Sequence, residues 1–244
     1  MISGTILPSS CVGSKRRHAS QPRTTKLSAT DIFDFWSAVS STDRIHPADR
    51  SVLARVTHGF DLSCLPTPWF GPLAVAPIVL LYLAPGLAPG FDRAFAETAD
   101  GQKWARDIRD GHQPLPSKAQ HEPAHRWWTS RVKAFHSPEA IADQVGIADI
   151  APYHSVSFTD GPMLTALPSA RAMVDWAQTE LFPQAVRGER IVICMRSPRF
   201  WGLRAGWSEG ALFSPETNRS GYLIHNDMRR QIVDAVRSKL GVTG

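Results

Sequence analysis

The sequence predicts an α/β protein, a three-layer α/β/α sandwich with a short, mostly parallel central sheet. Three observations predict it. Ile78, Val79, Leu80, Leu81, Tyr82 and Leu83 run without a charge and stop against Pro85 and Gly86, the pattern of a strand buried on both faces. Arg190 to Met195 (RIVICM) repeats that pattern far downstream. Between and around these runs lie stretches of helical period, and strands separated by helices imply parallel pairing with helices on both faces.

With 244 residues, 43% of them hydrophobic, the chain can bury a full core. One α/β domain is expected over residues 29–244, with 29–64 as a helical prelude and 65–240 as the core. The longest apolar run is interrupted by Pro77 and Pro85, short of the roughly 20 residues a bilayer-spanning helix needs, so no membrane is expected as a partner. The net charge of +5 is confined to one place. Lys15, Arg16, Arg17, Arg23 and Lys26 lie in a Ser/Thr-rich stretch with no acid, and the rest of the chain carries 22 basic and 22 acidic residues. Residues 1–28 are therefore expected to be a disordered basic tail. The tail lacks the apolar core of a secretory signal, from which a cytoplasmic protein is expected. Cys11, Cys64 and Cys194 are odd in number and far apart, which provides neither a disulfide framework nor metal-ligand spacing. No metal or cofactor is expected.

In chain order, Thr30 can cap a helix carrying Ile32, Phe33, Phe35 and Trp36, and a second helix starts at Pro47 and runs to about His58. Pro66, Pro68 and Pro72 make an irregular approach to the first strand. Its exit through Pro85, Gly86, Pro89 and Gly90 makes a loop whose backbone can approach a ligand, and ligands of open α/β sheets bind beyond the carboxyl ends of strands. Asp92 to about Arg109 is expected to be one helix with Gly111 past its end. Pro123 opens the helix of Trp127, Trp128 and Val132. Ser137-Pro138-Glu139 starts another that stops at Gly146. Ile147 to Val156 is a second strand candidate, followed by a helix from about Ser169 to Phe182. Leu212 and Phe213, or Tyr222 to Ile224, can supply a fourth strand. Asn226 caps a final helix ended by Gly241.

Two motifs have structural explanations. His121, Glu122 and His125 fit H-E-x-x-H, but Pro123 removes a backbone donor from the helix such a zinc site requires, which leaves a polar helix entry. Gly206, Ser208 and Gly210 fit G-x-S-x-G without the flanking strand and helix of a nucleophile elbow, which leaves an exposed turn. Neither G-x-G-x-x-G nor G-K-[ST] follows the first strand.

Three strand ends together resemble the uracil-DNA glycosylase superfamily. The family's first motif follows the first strand and ends in Pro-Gly, matched here by Leu83, Ala84, Pro85 and Gly86. Its last motif often reads His-Pro-Ser-Pro or Asn-Pro-Ser, and Arg196, Ser197, Pro198 and Arg199 stand in that area. Pro152, Tyr153, His154 and Ser155 occupy the place of an aromatic, proline-containing wall. The resemblance covers roughly residues 65 to 240. It implies the uracil-DNA glycosylase fold, hydrolysis of the N-glycosidic bond of a flipped base, a role in DNA repair, and nucleic acid as partner, DNA rather than RNA. The first motif usually supplies an Asp or Asn that positions water, and Ala84 cannot. The last usually supplies a His or Asn that stabilises the departing base, and Arg196 stands there. The catalytic candidates are thus Arg196 for the leaving base and Asp92 or His154 for water. The substrate-binding candidates are Ala84, Pro85, Gly86, Phe91, Tyr153, Ser155, Ser197 and Arg199. Two other readings stay open: a non-catalytic nucleic-acid binder with the same pocket, and an enzyme acting on a free nucleotide or other small molecule.

Overall fold

The charge-free runs form the middle of a sheet. The computed structural model describes residue 1 and residues 31–159, 161–218 and 220–241. The basic tail and the Thr30 cap lie outside the described residues, Met1 apart. The strands are β1 (Trp69–Phe70), β2 (Ile78–Tyr82), β3 (Val145–Asp149), β4 (Ile191–Cys194), β5 (Trp207–Glu209) and β6 (Leu212–Ser214), in the spatial order β1-β3-β2-β4-β6-β5. β3, β2, β4 and β6 run parallel, while β1 and β5 are antiparallel at the two edges. The protein is an α/β protein with a six-stranded, mixed, mostly parallel sheet.

All residues of β2, β3 and β4 are buried, as unbroken apolar runs require. Tyr82 pairs with Asp149, and Leu81 with Cys194, so the carboxyl ends of the three strands are level. The chain passes from β2 to β3 on one side and then crosses to β4 on the other. The end of β2 is therefore a point where the winding reverses, the place where open α/β sheets form a ligand crevice.

The helices hold that edge in place. In α1 (Ile32–Ser37) the cap is Asp31, whose carboxylate accepts the Phe33 N–H at 2.9 Å. A 3-10 turn, Pro47–Asp49, leads into α2 (Arg50–Leu53), which ends earlier than expected; beyond it Val56 is exposed and offers no apolar face to bury. The helix expected over 92–109 is two, α3 (Pro89–Ala96) and α4 (Ala99–Arg109). Thr98 breaks them apart by accepting the Gly101 N–H at 2.9 Å, and Gly101 has no room for a Cβ against the Phe95 carbonyl. α5 (Glu122–Val132) opens with Pro123 in its first turn. α6 (Pro138–Ile141) is short, and Gly146 belongs to β3 rather than to a helix end. A Cβ there would stand 3.0 Å from Leu73 Cα, so glycine lets the approach to β2 pack on the strand.

α7 (Met163–Ala166) precedes α8 (Pro168–Trp176), which continues through a π-helical turn, Ala177–Leu181, into α9 (Phe182–Val186). Pro183 lacks an N–H for the regular ladder, which accounts for the widened turn before it. α10 (Asp227–Lys239) is capped by Asn226, which accepts the Arg229 N–H at 2.9 Å. Residues 222–224 form no strand of the sheet, and β6 is the fourth parallel strand. Among the described residues no helix is long and apolar enough to cross a membrane.

A buried polar cluster helps tie the N-terminal helices to the rest. Asp49 is fully buried; its Oδ2 accepts the Tyr153 hydroxyl at 2.5 Å and its Oδ1 the Ser169 N–H at 3.0 Å. The His46 N–H in turn donates to the Tyr153 oxygen at 3.2 Å.

Candidate functional site

A cleft of about 580 Å³ opens at the carboxyl ends of β2, β3 and β4. Its wall is the Ala84–Ala88 loop after β2, its floor the strand-end residues Tyr82 and Asp149. Asp92 enters from the first turns of α3 and His121 from the N-cap of α5. His154 enters from the segment after β3, and Arg196 from the loop after β4. The loop after β2 is pinned from outside: the Ser155 N–H donates to the Pro85 carbonyl at 3.3 Å, and the Ala151 N–H to that of Leu83 at 2.9 Å.

Asp92 is the centre of a buried polar group. Its Oδ2 accepts the Ala88 N–H at 2.6 Å, a helix-capping contact. His154 Nδ1 lies 3.6 Å from the same oxygen, and His121 Nε2 lies 3.1 Å from Oδ1. The two histidines are buried, as is Asp92. His121 Nδ1 accepts the Ala124 N–H at 3.2 Å, so the neutral ring carries its hydrogen on Nε2, the atom facing Asp92. That N–H is not aligned on Oδ1, which is left buried without a hydrogen bond. His154 Nδ1 lies 2.7 Å from the Gly86 carbonyl and donates to it, while Nε2 lies 3.2 Å from Thr67 Oγ1. Burial pushes the Asp92 pKa up, but the His121 contact, the Ala88 N–H and the attraction the flanking histidines exert when protonated outweigh it, and the net shift is below the ordinary 3.8. Asp92 is an anion at neutral pH. Burial pulls His154 below 6.5 against the attraction of Asp92, which keeps that ring neutral.

The floor has the opposite character. Asp149 is 2% exposed, and among the described residues its carboxyl has neither a hydrogen bond nor an ion pair. Burial alone raises its pKa well above 3.8, so it is held as the neutral acid, a hydrogen-bond donor. The Tyr82 hydroxyl beside it is buried, unpartnered and kept protonated by the same desolvation.

At the rim, the Arg131 guanidinium lies 3.9 Å above the Tyr222 ring and 5.6 Å from that of Trp127, with Nε and Nη1 buried and unpaired. The Tyr222 hydroxyl donates to Ser130 Oγ at 3.3 Å. Arg196 is exposed, and its stem lies against Gly221, where a Cβ would stand 2.9 Å from Arg196 Cδ. Arg126 is paired with Glu122 at 3.2 Å; among the described residues Arg131 and Arg196 have no acidic partner.

The cleft thus gathers Ala84, Pro85, Gly86, Asp92, His154 and Arg196 from the sequence-derived candidates. Tyr153 is turned away from it, 1% exposed and hydrogen-bonded to Asp49, and is a core residue. Phe91 is exposed and outside the cleft lining, its ring 4.6 Å from that of His121. Ser155 supports the loop through its backbone alone. Ser197, in a left-handed turn with φ 52°, and Arg199, laid 4.7 Å over the Phe200 ring, both lie outside the cleft lining. Arg196 also follows the penultimate parallel strand. The last parallel strand is β6, and the loop after it reaches the cleft through Ser220 and Tyr222.

His121 of the H-E-x-x-H match is a helix cap, as Pro123 requires, yet it is also a buried neighbour of Asp92. Ser208 lies exposed on the edge strand β5. Among the described residues no three His, Cys, Asp or Glu side chains are arranged to hold a metal ion. Sequence reasoning missed His121, Asp149, Arg131 and Tyr222 as parts of the site. Two carried a signal: His121, through the H-E-x-x-H match, and Asp149, a lone acid closing an otherwise apolar buried strand. Comparison with protein-family models, curated proteins and solved structures returns no match.

Proposed function

We propose that the protein hydrolyses the N-glycosidic bond of a damaged or modified base in nucleic acid, DNA in preference to RNA, on a three-layer fold similar to that of the uracil-DNA glycosylase superfamily. The observation that carries this reading is the placement of two kinds of group in one cleft. One is a buried Asp92 flanked by two histidines, which favour its ionised form; the other, on the floor, is the Tyr82 hydroxyl and Asp149 carboxyl, unpartnered among the described residues, whose burial favours the protonated form. Hydrolysis of a glycosidic bond needs both. Asp92 orients a water and takes its proton as the water oxygen bonds to the sugar anomeric carbon, a role Ala84 cannot fill. The C–N electron pair leaves with the base, and the Tyr82 hydroxyl and the Asp149 carboxylic acid donate hydrogen bonds to the negative charge that develops there. A tyrosine and a protonated aspartic acid in an apolar site form such an oxyanion hole in ketosteroid isomerase, a worked example of this arrangement. The Pro85-Gly86 turn lets the backbone approach the base. The volume of about 580 Å³ is of the size of small-molecule sites and suits one flipped-out nucleoside unit. Arg196, at the rim, is too exposed to be the main support of the leaving base.

The test is base release from single- and double-stranded oligonucleotides carrying uracil, deaminated purines or modified pyrimidines, detected as alkali-labile breaks. Release by the native protein is expected, and Asp92→Asn should lower it by about 10²–10⁴-fold with oligonucleotide affinity kept. Binding without release by the native, folded protein would overturn the catalytic reading and leave a nucleic-acid binder.

A further inference from the structure

We infer that Arg131 and Arg196 form a phosphate subsite at the mouth of the cleft, so that its ligand is a nucleotide rather than a free base or nucleoside. The inference rests on the reading of the floor as a base site but not on hydrolysis.

Charge is the first argument. Asp149 is buried with no ion pair among the described residues, which favours its neutral form, Asp92 is held among histidines, and Arg126 is matched by Glu122. Two guanidinium groups that line the same cleft remain without an anion.

The second is that Arg131 is held in place and partly dried. Tyr222 covers one face of the guanidinium at 3.9 Å, and Nε and Nη1 are shut off from water with no acceptor. A guanidinium with two donors buried and no acceptor is costly, and an anion in the cleft would offset that cost through its charge and through the remaining donor, Nη2. A charge-assisted N–H···O bond from Nη2 to a phosphate oxygen is the contact this placement allows.

The third is that the two arginines flank one turn. Gly221 packs on the stem of Arg196, and the next residue, Tyr222, stacks on Arg131 while hydrogen-bonding Ser130. Gly221 has φ +77° and no space for a side chain, so the turn is shaped to let Arg196 pass. Both guanidinium charges also act on the Tyr82 hydroxyl, which places the subsite within electrostatic reach of the floor.

Phosphate of this kind comes either as a free nucleoside monophosphate or as the phosphodiester of a strand. The experiment compares binding of nucleosides, their 5′-monophosphates and inorganic phosphate by calorimetry, and of a fluorescein-labelled single-stranded oligonucleotide by anisotropy across salt concentrations. The proteins are the native chain, Arg131→Ala, Arg131→Lys, Arg196→Ala and, as a control on the exposed surface outside the cleft, Arg204→Ala.

A phosphate on the ligand should tighten binding by about tenfold or more, and each cleft alanine variant should remove most of that gain. Arg131→Lys should keep part of it. On the oligonucleotide each alanine variant should reduce the slope of log K against log salt by about 0.7. An effect confined to monophosphates identifies the free nucleotide as source, one confined to the oligonucleotide identifies the strand, and either supports the subsite. Equal binding of nucleosides and monophosphates together with unchanged salt slopes would overturn it, as would an equal loss in Arg204→Ala. Thermal melting of each variant separates loss of fold from loss of contact. Asp92→Asn should lose base release with the phosphate preference intact, so failure of the catalytic reading and failure of the subsite are told apart.

Discussion

Replacing Asp149 with Asn exchanges a buried carboxyl for an amide of nearly the same shape and removes its proton equilibrium. In the unfolded chain Asp149 ionises at about 3.8; in the fold, burial holds its pKa well above that. Below 3.8 both states carry the proton. As pH rises the unfolded state gives it up and the folded state does not, so the contribution of Asp149 to stability is full at low pH and is lost as pH rises. The loss is about 1.4 kcal/mol per pH unit until the folded group itself ionises. In a chain of this length that is roughly 3 to 6 °C in Tm per pH unit. The assay is thermal unfolding of the native protein and Asp149→Asn in parallel from about pH 5 to pH 7, where other titrating groups cancel in the difference. The variant should gain on the native protein steadily as pH rises. A Tm difference that does not change with pH would mean that Asp149 is ionised in the fold. The neutral donor on the floor, and the leaving-group stabilisation built on it, would then be wrong.

The acid limb of base release should follow Asp92, whose pKa lies below 3.8, so release should hold as pH falls through 6.5 and drop only in the carboxylate range. A fall centred near 6.5 in a pH–rate profile would make an unshifted histidine the base instead. His154, with its pKa below 6.5, contributes stability that is present above 6.5 and is lost as pH falls below it, because the unfolded chain takes the proton first. Gly101→Ala replaces a glycine inside a helix, where propensity alone favours alanine by about 1 kcal/mol. The collision of the new Cβ with the Phe95 carbonyl should reverse that sign and cost roughly 2–4 kcal/mol in urea unfolding. An unchanged or higher midpoint would show that the turn between α3 and α4 yields easily.

What was legible in the sequence was whatever a single stretch determines by itself. The β2 run, the RIVICM run, the Asn226 cap and the Pro123 helix start each follow from local composition. The edge strands β1 and β5 are two and three residues long and carry no period, so only their partners define them. The break at Thr98 was hidden because a side chain accepting one backbone N–H looks like any other threonine on a helix. Asp92 and His154 could be named because they follow strand and loop signals. His121, despite its motif match, and Arg131 could not be placed there, because they reach the cleft from a helix whose sequence gives its period but not its docking direction. A strand expected to run to Val156 puts Tyr153 at its end and so in the pocket, but the strand stops four residues before Tyr153, at Asp149. The extra residues let the ring turn inward to Asp49.

That inward turn has a consequence for how the chain can be divided. Asp49 comes from the N-terminal helices, yet its two oxygens accept the hydroxyl of a tyrosine that follows β3 and the first backbone N–H of α8. A shortened chain beginning at the sheet would therefore not be a smaller version of the same protein. It would leave a phenol and a helix start without an acceptor in its interior, directly behind the segment that delivers His154. The first helices belong to the machinery of the cleft without touching it, and any module built from this protein has to carry them along.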